Sequence, residues 1–127
     1  MHHPRWSSGV HADNLDVDGL WQTLSAGGAD LVLAGHDHDY ERYAPMNAFG
    51  ATSPTGVREV VSGLGGRSAN SFPGGASRQA STVRVALKFG VLDLTLRPGG
   101  YDWRMLQVPT ASVPSPPALD SGSGTCS

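Results

Sequence analysis

The chain has 127 residues, enough for one small domain with one core. Its formal net charge is −2, with 9 basic against 11 acidic residues, which argues against the basic face that nucleic acid or an anionic membrane requires. No run approaches the roughly 20 apolar residues of a membrane span, and a lone cysteine, Cys126, rules out an intrachain disulfide framework.

The opening residues, MHHPRWSSGVHADN, hold no apolar signal-peptide core. Residues 14 to 25 read as a helix: Asp13 or Asn14 can cap it, Asp16 and Asp18 suit its first turn, and Val17, Leu20, Trp21 and Leu24 keep the spacing of one apolar face. Gly27-Gly28 ends it. Asp30 to Ala34 is a short apolar run of the kind found in buried strands. Four further strands are expected: Glu59 to Val61, leading into the turn SGLGG; Val83 to Phe89; Val91 to Leu96; and Tyr101 to Val108 after the turn Pro98-Gly99-Gly100. Residues 67 to 81 are expected to form a long loop. The tail, residues 109–127, is rich in Pro, Ser and Gly, and disorder is expected there. The three tryptophans, Trp6, Trp21 and Trp103, are expected in the core or a pocket wall. Glu41 and Arg42 are expected to form a structural ion pair.

All five histidines fall within the first 38 residues. His36 and His38 follow a strand-like run directly, at the strand end where α/β proteins place their ligands. In an extended segment, side chains two apart point the same way, so both imidazoles would face one side and Asp37 another. Neutral imidazole ligates zinc, iron, copper or nickel. Two-metal hydrolytic centres hold their ions roughly 3.5 to 4 Å apart, a gap neighbouring side chains can span. His-x-His alone is a weak signal. It gains weight from a His-x-Pro element one helix earlier and from the glycine-rich turn after the next strand.

Those segments resemble the calcineurin-like metallophosphoesterases. GHDHDYER is similar to their last metal-binding motif, and its Tyr40-Glu41-Arg42 extension to the purple acid phosphatase branch. HHPRWSSGVH resembles that branch's His-x-Pro loop, SGLGG its glycine-rich turn, and FGVLDLTLRPGGYDWRML its final strand pair, so the likeness covers about residues 2 to 108. The resemblance implies an α/β fold: the C-terminal half of a four-layer α/β/β/α sandwich, with a mixed β-sheet and few helices, as a partial domain over residues 1–108. It implies a dinuclear centre, iron with zinc, manganese or a second iron, hydrolysing phosphate esters. By position, His2 and His36 resemble ligands of the second metal and His38 a ligand of the first. His11 resembles the histidine that contacts substrate phosphate and protonates the leaving group. His3 falls at a variable position. Complete relatives are often secreted.

The family's earlier motifs, Asp-x-His, Gly-Asp-x-x-Asp and Gly-Asn-His, are not in the chain. Without their carboxylates nothing offsets the repulsion between two cations, so at most one metal is expected here and no activity from the chain by itself. The alternative is a non-catalytic domain that binds a single metal or is a structural remnant. A β-lactamase-like hydrolase is a weaker fit, because His-x-His is followed by Asp39-Tyr40 rather than x-Asp-His. The expected partners are a phosphate ester and either the absent N-terminal half or a second copy, met through an exposed apolar sheet face and free strand edges.

Overall fold

A computed structural model describes residues 1–74 and 77–127. Helix α1 spans Asp18–Ala26 and is preceded by a short 3₁₀ turn, Leu15–Val17. The Asn14 side chain accepts the Asp16 N–H there, the capping expected from the sequence. The buried face of α1 is narrower than its spacing predicts: Trp21 is fully buried and Leu24 partly, whereas Leu20 is exposed.

Seven strands form two sheets. β1 (Leu31–Ala34), β2 (Tyr40–Tyr43), β3 (Arg58–Ser62) and β4 (Ser81–Val85) make a mixed sheet in the order β1-β3-β2-β4. β1 and β3 run parallel, and β2 is antiparallel to both neighbours. β5 (Gly90–Arg97), β6 (Gly100–Gln107) and β7 (Ala118–Thr125) form an antiparallel meander. The chain is therefore α/β, with a mixed sheet and one short α-helix among the described residues.

The period of two along each strand decides which layer a residue joins. On β3, Val61 packs with Trp6, Trp21, Val32, Tyr43, Met46 and Val57 beneath the helix. Its neighbour Val60 faces the other way and packs with Tyr40, Leu64 and Met105, with Leu31, Val83, Val85, Leu92 and Leu119 around them. This second cluster draws on both sheets, so they lie face to face. The sheet face expected to be bare is thus covered from within the chain. Trp6, Trp21 and Trp103 are all buried, as expected.

The tail departs most from its sequence reading. Residues 118–125, expected to be disordered, form β7 and pair with β6 from Gly100 to Leu106. Two features compensate for the segment's small apolar content. Gly122 lies against the ring of Trp103 and Gly124 against that of Tyr101, each too close for a Cβ. Asp120 then accepts four hydrogen bonds: from Arg42 Nε and Nη2 at 2.7 and 3.1 Å, Tyr40 Oη at 2.6 Å and Trp103 Nε1 at 2.9 Å. The expected Glu41–Arg42 ion pair gives way accordingly. Arg42 faces the second sheet and pairs with Asp120, while Glu41 points to the opposite face.

The expected strand from Val83 to Phe89 stops at Val85, and Leu87 adopts a φ of 56°, which no strand continues through. The loop expected over residues 67–81 is irregular wherever described; Gly75 and Ala76 lie outside the described residues. Both chain ends attach to the strand-loop region of β1. The Met1 amino group donates to Leu33 O at 2.8 Å, and Ser127 N donates to Asp30 Oδ1 at 3.0 Å. Among the described residues no helix is long and apolar enough to cross a membrane.

Candidate functional site

The segment from His2 to Ala12 has no regular secondary structure of its own, so its backbone N–H groups need partners from elsewhere. Buried carboxylates supply them. Glu59 on β3 accepts Arg5 N at 2.8 Å and Trp6 N at 2.9 Å. Glu41 on β2 accepts Ser8 N at 2.7 Å. Asp37, just past β1, accepts His11 N at 3.0 Å and the Ser7 hydroxyl. All three acids are fully buried. Glu59 and Glu41 project from the same side of the sheet because 59 and 61, like 41 and 43, alternate away from the second sheet, and the loop after β1 brings Asp37 to that side. Burial, against the two backbone bonds, raises the Glu59 carboxyl to about 7. Gly9 packs flat on this cluster; a Cβ there would approach Asp37 Cγ to 2.5 Å and Asp39 Oδ2 to 2.6 Å.

His2 is fixed by backbone contact with β1, where Gly35 N donates to His2 O at 2.9 Å. His36 follows Gly35 with a φ of 65°, a left-handed conformation costly for a residue with a Cβ. That conformation breaks the extended geometry in which His36 and His38 would face the same way. His36 turns to the His-x-Pro loop, and its Nδ1 is 3.3 Å from His2 Nε2. Its ring centroid is 4.0 Å from that of His3 and 4.3 Å from that of His11. His38 instead places Nδ1 on the Ser68 hydroxyl, and its carbonyl accepts Asn70 N at 2.8 Å. The SGLGG turn reaches the same place, with Gly63 N donating to Asp39 O at 2.9 Å.

The four histidines singled out by sequence are therefore divided. His2, His36 and His11 come together, and His38 is held by a separate contact. His3 joins the group in its place: ligand atoms of His2, His3 and His36 lie within 4.8 Å of one another. Among the described residues no carboxylate belongs to that group. The three ligand atoms are close enough for one cation to share. Desolvation, followed by the neighbouring His3, His11 and His2, lowers the pKa of His36 and favours the neutral ring that ligates metals.

His11 is half exposed, with Nδ1 2.7 Å from Asp37 Oδ1. The same carboxylate holds both its backbone and its ring, which leaves Nε2 pointing away from the protein anchor. Sequence reasoning had Asp37 facing away from the histidines without giving it a task. The available signal was the alternation Asp37, Asp39, Glu41, three acids two apart and all inward. Asp39 is the exception among them. It is fully buried, and neither carboxylate oxygen finds a hydrogen-bond partner among the described residues. Desolvation, then Asp37 and Glu41 nearby, raises its carboxyl to about 7.

No family model and no curated protein match the chain. Among solved structures it is similar to the chain described as "GAP50 the anchor in the inner membrane complex of Plasmodium", with a TM-score of 0.76 at 16% identity. The match covers 99% of this chain and 35% of that one, and at this identity the likeness concerns the fold.

Proposed function

We propose that the chain is the C-terminal part of a metal-dependent phosphoesterase of the purple acid phosphatase type, which in complete form hydrolyses phosphate esters. The observation that carries this reading is the convergence of His2, His36 and His11. They come from the His-x-Pro loop and the Gly-His-x-His motif, and they meet beside a buried aspartate. In this reading the finer architecture is the C-terminal half of a four-layer sandwich, and the neighbour's greater length is consistent with that.

Bound metal ions would polarise the phosphoryl oxygens and acidify a water. His2 and His36 are the chain's candidates to hold one of them. His11 does the proton work. Asp37 fixes its Nδ1, so the protonated ring presents Nε2–H to the leaving oxygen, a contribution of roughly 100-fold to 10,000-fold. Ser7 and Gly9 keep Asp37 dry and in place: Gly9 N donates to Ser7 Oγ at 2.9 Å, and Ser7 donates to Asp37. The group lacks a bridging carboxylate, so the chain by itself is inactive in this reading.

The test is hydrolysis of para-nitrophenyl phosphate with added iron, zinc or manganese. The 127-residue chain should show no turnover. A longer product that reads in frame through Asp-x-His and Gly-Asp-x-x-Asp should turn over, and His11→Ala should lower its rate roughly 100-fold or more. An inactive longer product would favour a second reading, a non-catalytic anchor or remnant. One observation supports that alternative: the similar solved structure is described as an anchor.

A further inference from the structure

We infer that His2, His3 and His36 form a mononuclear site for a late first-row divalent cation, zinc above all, assembled wholly within this chain. His3 takes the place that sequence comparison assigns to no ligand, and His38 stands outside. The inference rests on the phosphoesterase reading, which already gives His2 and His36 to one metal, and adds His3 as their third ligand.

Zinc binds imidazole nitrogen at about 2.0–2.1 Å in tetrahedral geometry, which sets two nitrogens on one ion about 3.3 Å apart. His2 Nε2 and His36 Nδ1 are 3.3 Å apart. The third ring is close enough to join with a side-chain rotation, since all three ligand atoms fall within 4.8 Å. The backbone carrying these rings is already fixed. Gly35 N holds His2 O, the Met1 amino group holds Leu33 O, and Glu59 holds the N–H groups of Arg5 and Trp6 just beyond buried Pro4. Ordering the loop is therefore not charged to ion binding. The left-handed backbone of His36 points the same way, because strain of this kind persists where a side chain is held for a purpose. His11 is excluded as a ligand at Nδ1 by its bond to Asp37. Three imidazoles would leave the fourth tetrahedral position to a water, which the exposure of His2 admits.

The chain is titrated with zinc by calorimetry and with cobalt(II) by visible absorption. Copper and nickel are avoided because a free amino terminus with histidine at position three captures them unaided. One ion per chain is expected, with the intense visible bands of tetrahedral cobalt and a zinc-dependent rise in melting temperature. His3→Ala should weaken zinc binding roughly tenfold or more. His3→Gln serves as a second variant if the alanine chain fails to fold by circular dichroism, and His38→Ala should leave the affinity unchanged. Two ions per chain, an octahedral cobalt spectrum, or loss of binding in His38→Ala with retention in His3→Ala would each overturn the site. One-ion binding through His3 in a longer product without phosphatase activity would keep the site and discard the hydrolase reading.

Discussion

Asp39 and His36 each hold an uncomfortable position in the fold, and each discomfort is measurable. Asp39 lies buried against Gly9 with no partner for its oxygens among the described residues, and its carboxyl is raised to about 7. A raised carboxyl means the folded state keeps a proton that the unfolded chain releases near its usual value of about 4. Stability is therefore fully present below about pH 4 and is lost as pH rises towards about 7. Asp39→Asn removes the ionisation, so its melting temperature should exceed wild type at pH 8 and match it at pH 4. Equal differences at the two pH values would contradict the burial argument. His36 poses a backbone problem rather than an electrostatic one. At a φ of 65°, glycine is favoured over alanine by about 1 kcal/mol. Denaturant melts of the metal-free chain should rank His36→Gly above His36→Ala by about that amount, although both lose the imidazole.

At the scale of elements, β7 shows how a polar strand is made obligatory. Its four-bonded Asp120 joins Tyr40 and Arg42 of one sheet to Trp103 of the other. Burial works against its ionisation, but the bonds from Arg42 and Tyr40 hold its carboxyl below the ordinary range. Asp120→Ala leaves Arg42, a phenol and an indole N–H without their shared acceptor and should cost about 2–4 kcal/mol by urea denaturation. The helix and five strands were legible in sequence, because α1 and β1 and β3 to β6 advertise themselves through apolar period or turn glycines. β2 and β7 were not. The YERY of β2 puts a charge at each central position, and its strand character depends on Ser8 N meeting Glu41 and Asp120 meeting Arg42, both distant in sequence. Within the site, that His2, His11 and His36 would meet was legible only through the resemblance of their motifs. His3 in the group and His38 outside it were not, since both follow from a single left-handed residue that no spacing rule reports.

At the scale of the whole molecule, the unsatisfied surface lies at the sheet edges rather than on a sheet face. β1 and β5 are both edge strands, and they border one shallow groove of about 430 Å³ lined by Leu33, Ala34, Val91, Leu92 and Leu94. Leu33 is 38% exposed and Val91 62%. The open edge of β5, with this apolar lining, invites pairing with another strand, whereas Met1 and His2 already bond part of the β1 edge. Gel filtration should show concentration-dependent association of the chain, and Val91→Lys should suppress it without lowering the melting temperature. A strictly monomeric wild type at high concentration would show that the β5 edge does not pair.

The hydrogen bonds at Met1 and Ser127 have a consequence of another kind. One end of the chain is tied to Leu33 and the other to Asp30, three residues apart on a segment that advances about 3.3 Å per residue. Residues far apart in sequence thus clamp either end of one short strand, and a local opening of β1 would have to break both bonds.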